Sequence, residues 1–240
     1  MWTNASFVFQ CLEDMMQTIG KGLRIKIIAA LILSAPACNN FGLLDKIENP
    51  GGSENFTNNY YVFASSWTTM GDMAGGPYPE CTANYVGPAR ADCACTKAAA
   101  KKGLRKHSNH AFRAYLGMTG TPTMEARCRV SGQPSSCLPN IPGPWFNADG
   151  AIVVNNFISN AGTIDGPILF TENRVALTAA DQVWTGASAT GTHQNECLGW
   201  NDTTATTINV GDPTATGTGW HNGGTSNCNV PKRVYCFATP

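Results

Sequence analysis

Residues 193–204 read "HQNECLGWNDTT", and the role given to them decides how the whole chain is read. Cys197 is followed by Leu198-Gly199-Trp200, a cysteine and a large apolar ring close together. Two oxygen-bearing side chains, Asn201 and Asp202, come next. Asn-Asp after an apolar residue can open a turn, or it can offer oxygens to a hard cation. A cation site needs several converging oxygens, usually with more than one carboxylate. The bland reading is that Trp200 packs in a core while Asn201-Asp202 begins a turn. The rest of the chain has to choose between the two.

Working outward, the composition favours an exported domain rich in turns. The chain has 240 residues, enough for one large domain or two small ones, and 42% are hydrophobic, enough for a packed core. Only 13% are charged, while Gly, Thr, Asn, Ser and Pro abound. That mixture predicts short strands and many turns. The formal net charge is zero, so no global field draws nucleic acid or membrane, and any charged partner must be met by a local patch. Setting Cys11 and Cys38 aside leaves Cys81, Cys93, Cys95, Cys128, Cys137, Cys197, Cys228 and Cys236. An even set in an exported chain predicts disulfides. Cys93-Ala94-Cys95 has the wrong spacing for a zinc knuckle, so neither metal nor cofactor is expected.

The N-terminal segment supports export. Lys21, Arg24 and Lys26 precede the apolar run Ile27 to Leu33 and then "SAPAC". This order gives a signal peptide over 1–37, with Met15 or Met16 as the natural start, because Glu13 and Asp14 do not suit a basic leader. Cys38, directly after Ala35-Pro36-Ala37, reads as a lipidation cysteine, with ordinary cleavage after Ala37 as the alternative. Residues 38–57 then form a flexible tether to a single domain over 58–239.

Within that domain, "NYYVFASSWTT" (59–69) predicts a first strand and "GDMAGGPYPECTANYVGP" a loop. "PARADCACTKAAAKKG" predicts a helix, with Pro88 in its first turn and Gly103 as its stop. Ala91, Cys95, Ala98 and Ala99 share the face that packs. Cys93 lies roughly 200° round the helix from Cys95, so the two must serve different partners. One should turn inward to a distant bridge and the other outward, where Cys81 is the obvious neighbour. "CRVSGQPSSC" reads as a turn closed by a local Cys128–Cys137 bridge. "WFNADGAIVVNNF" predicts a hairpin about Ala148-Asp149-Gly150, and "KRVYCFATP" a last strand.

In order and spacing, Val183-Trp184-Thr185-Gly186, Cys197-Leu198-Gly199-Trp200, and Cys228 followed eight residues later by Cys236 resemble one known pattern. It is that of the leptospiral endostatin-like surface lipoproteins, a branch of the C-type-lectin-like fold. "ADCACTKAAAKKGL" is similar to that family's first helix, and the resemblance covers roughly residues 59 to 238. It implies an α+β, disulfide-stabilised domain of mostly short antiparallel strands with one or two helices. It also implies a nested pair of bridges, Cys95–Cys236 around Cys197–Cys228. For function it implies a non-enzymatic adhesin on the outer membrane. The implied partners are host laminin and fibronectin, the complement regulator factor H, and plasminogen.

In calcium-binding members of the wider fold, Trp-Asn-Asp stands shortly before the penultimate cysteine. Here that place reads Trp220-His221-Asn222, and no carboxylate follows Asp212. So the resemblance carries a skeleton without its metal. Among catalytic patterns, G-x-S-x-G, H-E-x-x-H and phosphate loops are all missing; a triad of His193, Asp181 and a serine is the arrangement left open. No catalytic residue is assigned. The main candidate binding feature is "CTKAAAKKGLRKHSNHAFR". It brings Lys97, Lys101, Lys102, Arg105, Lys106 and Arg113 together with His107 and His110, and no acid occurs from Cys93 to Met124. Such a patch attracts sulfated glycans or acidic proteins. A carbohydrate-binding lectin and an envelope hydrolase or structural lipoprotein are the alternatives.

Overall fold

Aromatic and β-branched runs form the strands, and alanine-rich runs the helices, of a mixed α+β domain. A computed structural model describes residues 60–104, 111–119, 126–130, 144–155, 163–204 and 206–239. The strands are β1 (Tyr60–Ala64), β2 (Phe112–Ala114), β3 (Trp145–Phe146), β4 (Ile152–Val154), β5 (Val183–Trp184), β6 (Thr207–Gly211), β7 (Gly224–Asn227) and β8 (Arg233–Ala238). The helices are α1 (Pro79–Asn84), α2 (Pro88–Lys101) and α3 (Ala126–Val130), with a 3-10 turn at Thr218–Trp220. Among the described residues no helix is long and apolar enough to cross a membrane. The signal segment 1–37, Cys38, the tether 38–57 and the Cys128–Cys137 bridge lie outside the described residues.

The last strand is the centre of the sheet. Its sequence, "RVYCFA", alternates too little for a one-sided strand, and every residue after Arg233 is buried. β1 pairs antiparallel along one edge of β8, with Val62 opposite Phe237 and Ala64 opposite Tyr235. On the other edge β2 pairs with its end (Ala114 opposite Cys236) and β5 runs parallel to its start (Trp184 opposite Val234). The order β4-β3-β1-β8-β5-β6-β7 thus sets the first and last strands side by side. The expected hairpin forms as β3–β4. Asn147 accepts from Gly150 N–H across its turn, and Gly150 adopts a φ of 92°.

Four tryptophans fill the core: Trp145, Trp184, Trp200 and Trp220 are each fully buried. At about 25 cal/mol per Å2 and roughly 200 Å2 apiece, each contributes about 5 kcal/mol of gross burial. The N–H groups of three of them find carbonyls. Trp145 donates to Ala238 O at 3.0 Å, Trp184 to Thr69 O at 2.8 Å and Trp200 to Gly117 O at 2.7 Å. Each of these indoles therefore ties together stretches of chain far apart in sequence. Gly211, at the end of β6, is required by close approach: a β-carbon there would sit 1.8 Å from Trp220 O.

α2 follows its sequence signals closely. Pro88 occupies the first turn, and the face of Ala91, Ala94, Cys95, Ala98 and Ala99 is buried. At the C-terminus Gly103 takes a φ of 70°. Its N–H reaches Ala100 O while Leu104 N–H reaches Ala99 O, which is the Schellman motif. The helix is then fastened on opposite sides. Cys95 bridges inward to Cys236 of β8, and Cys93 bridges to Cys81 of α1. The third bridge joins Cys197 to Cys228.

Two stretches differ from their sequence reading. The segment expected as a loop before α2 contains α1, a six-residue helix that starts with Pro79 at N1. Too short to be stable alone, it is held by the Cys81–Cys93 bridge. The start of the expected turn at 128–137 is helical, as α3. Arg129 of α3 is only 7% exposed and donates to Asp92 of α2 at 2.6 Å, an ion pair that fixes the short helix.

Candidate functional site

The basic face begins with the periodicity of α2. Buried alanines on one side leave Lys97, Lys101 and Lys102 exposed on the other. β2 packs beneath the helix: Thr96 Oγ1 donates to Phe112 O and accepts from Phe112 N–H, both at 3.1 Å. Asp92 Oδ1 accepts from Ala114 N–H at 2.8 Å. Arg113, between these two anchors, is exposed. Of the sequence candidates, the structure therefore places Lys97, Lys101, Lys102 and Arg113 on the surface of α2 and β2. Arg105, Lys106, His107 and His110 lie outside the described residues.

The patch is not free of acid, as its sequence window implied. Glu80 of α1 reaches Lys97 at 3.2 Å, with both side chains about half exposed. Its carboxyl is held below the usual range, first by its own backbone N–H and then by Lys97. The cause is tertiary: the Cys81–Cys93 bridge lays α1 along α2. A sequence signal existed, because Glu80 precedes Cys81 and Lys97 lies four residues beyond Cys93. So exposed a pair contributes little to stability. Lys101 and Lys102 make no ion pair among the described residues and form the open part of the face.

The Trp-Asn-Asp stretch resolves into a core residue and a turn. Trp200 is fully buried, with a φ of 59°, and meets Trp184 edge-on at 6.1 Å. Asn201 Nδ2 bonds back to Gly199 O at 2.9 Å. Asp202 accepts from both the N–H and the hydroxyl of Thr204, and that hydroxyl is the main reason its carboxyl stays low. Its oxygens are spent on their own turn.

The second tripeptide is buried too. His221 is 0% exposed; Nε2 lies 3.2 Å from Ala189 O and Nδ1 lies 3.1 Å from the Tyr115 hydroxyl. A carbonyl only accepts, so Nε2 carries the proton and Nδ1 accepts from Tyr115. Burial pushes the imidazole down to about 4, so it is neutral at pH 7. Asn222 Oδ1 accepts from Asn209, whose amide also donates to Ala187 O and Gln194 Oε1, closing the loops over β6. Among the described residues no three His, Cys, Asp or Glu side chains come together. Of the possible triad, Asp181 is engaged elsewhere, with Arg233 at 2.9 Å and with Thr178.

Compared with known proteins, the chain matches no family model and no curated protein.

Proposed function

We propose that the protein is a non-enzymatic binding protein of a bacterial surface, an adhesin with the endostatin-like form of the C-type-lectin-like fold. Lipid on Cys38 would anchor it to the outer membrane. The nested bridges Cys95–Cys236 and Cys197–Cys228 and the pairing of first and last strands support that fold. The observation that carries the binding role is the exposure of Lys101 and Lys102 on a helix tied down by two disulfides. A cationic surface fixed in this way loses little entropy on meeting an anionic partner. Sulfated glycans and the acidic segments of laminin, fibronectin, factor H or plasminogen have the matching charge.

The test is binding of the folded domain to immobilised heparin and laminin at physiological salt. Lys101→Glu with Lys102→Glu should weaken both by roughly tenfold, a change of about 1.4 kcal/mol. Raising the salt should weaken the parent protein in the same direction. Unchanged binding in the double variant would remove this face from consideration. A calcium-dependent lectin reading would require Asp202 to give up Thr204, and nothing in the turn favours that exchange.

A further inference from the structure

Among the described residues seven large hydrophobic side chains are exposed, and five of them stand on loops that meet around one disulfide. They are Met70, Tyr85, Val86, Leu198 and Val230. Backbone contacts hold these loops together. Gly71, next to Met70, donates its N–H to Cys228 O at 2.8 Å, and a β-carbon on Gly71 would collide with Cys197 Sγ. Gly87, next to Val86, is packed as closely: a β-carbon there would lie 2.5 Å from Gly199 O, beside Leu198. Arg90 joins the first two loops, donating to Tyr85 O at 2.8 Å and to Asp72 O at 2.9 Å. Val230 follows Cys228 by two residues, in a turn closed by its N–H on Asn227 O. The Cys197–Cys228 bridge fastens its loop to that of Leu198.

Leu198 carries the strongest signal. It is 71% exposed and has a φ of 45°, the first of three consecutive residues in the left-handed region. A leucine is strained in that conformation, and at that exposure the core gains little from it. Val86 is almost as open, at 67%. The charged side chains on and beside these loops are two acids and two bases, and each is already bonded. Asp72 accepts from Ala74 N–H, Arg90 holds its two carbonyls, Asp202 holds Thr204, and Lys232 donates to Gln182 Oε1. The surface is therefore apolar with no net local charge.

Area decides among the occupants. By their fractional exposures the five side chains present on the order of 400 Å2, about half the roughly 800 Å2 that each partner of a stable protein interface buries. A contact of that size suffices where the partner is already held nearby. Lipid on Cys38 would hold a bilayer nearby: Cys38 stands 22 residues before Tyr60, a reach of no more than about 80 Å. Aliphatic tips enter the acyl boundary, and a tyrosine suits the headgroup level. We infer that Met70, Tyr85, Val86, Leu198 and Val230 dock the domain onto a phospholipid bilayer. The inference rests on the lipid anchor proposed above and not on the basic face. Lys101 lies roughly 20 Å along α2 from Pro88, so the two surfaces do not compete.

The experiment is cosedimentation of the folded, disulfide-bonded chain from Asn39, without leader or lipid, with phosphatidylcholine vesicles. Saturable binding at millimolar lipid is expected, and raising the salt should not weaken it, because no ion pair carries it. Val86→Asp with Leu198→Asp should weaken it by at least about tenfold, while Lys101→Glu with Lys102→Glu leaves it unchanged. Thermal melts check that each variant is folded; should the aspartate pair fail to fold, Val86→Ser with Leu198→Gly, which accepts the positive φ, carries the test. Heparin binding is read on the same samples, and the mass of Cys38 in the exported chain reports its lipid, so failure of this contact is distinguishable from failure of the basic face or of the anchor. No vesicle binding at millimolar lipid, parental binding in folded variants, or a concentration-dependent dimer that the same substitutions abolish would overturn the inference.

Discussion

Cys93 and Cys95 are two residues apart on one helix, yet they do different work. Cys95 faces inward and joins α2 to the central strand through Cys236, across a sequence separation of 141. Cys93 faces the other way and joins α2 to α1 through Cys81, across a separation of 12. The inner link closes nearly the whole domain and sits at 0% exposure at both ends. The outer link organises a surface: it stabilises a six-residue helix, brings Glu80 to Lys97, and follows the Gly-Gly-Pro turn that carries Tyr78. One bridge determines whether the domain holds together; the other determines which side chains the surface presents.

The largest expected effect comes from breaking the inner link. Cys95→Ala with Cys236→Ala should cost about 4–5 kcal/mol, measured by chemical denaturation, because the released loop spans most of the domain. Next is Arg129→Ala, which leaves Asp92 without its partner beside α2. A loss of about 3 kcal/mol is expected, and Arg129→Ala with Asp92→Ala should recover part of it. Opening the outer link with Cys81→Ala and Cys93→Ala should cost about 2–3 kcal/mol, since its loop is short. That variant should also release Glu80 from Lys97 while keeping the basic face of α2. If the outer variant were as damaging as the inner one, the division of labour between the bridges would be wrong.

A pH titration sharpens the comparison from inside the core. His221 is neutral when folded, its pKa lowered from 6.5 to about 4, so the unfolded chain takes up the proton first. Its contribution is complete above pH 6.5 and is lost as pH falls from there toward 4. Stability should therefore drop by about 2 kcal/mol between pH 7 and pH 5, and that slope should vanish in His221→Gln. The smallest effect belongs to the surface pair. Glu80→Gln should leave stability nearly unchanged, yet it should strengthen heparin binding by freeing Lys97.

The mutual placement of the two cysteines was legible because helical geometry is local. A rotation of roughly 100° per residue puts Cys93 and Cys95 on opposite sides whatever they pair with. The same holds for Pro88 and Gly103 at the ends of α2 and for Gly150 in its hairpin turn. Trp200 could be assigned to the core, and Asn201-Asp202 to a turn, because their preferences act within a few residues. What escaped was long-range or too short to signal itself. α1 has only six residues, and its propensity is outweighed by loop residues on both sides. The acid opposing Lys97 lies on a separate segment, upstream of the acid-free run from Cys93 to Met124.

By itself, then, the sequence determined the mixed class, the exposed and buried faces of α2, its caps, and the opposed directions of Cys93 and Cys95. These follow from backbone geometry and side-chain chemistry over a single turn. Only the tertiary structure decided that Glu80 answers Lys97, that Arg129 answers Asp92, and that Glu172 accepts from Ser66. Each of those meetings joins separate segments of chain. Which segments meet depends on how the buried tryptophans and the bridges among the described residues close the core, and no local propensity encodes that.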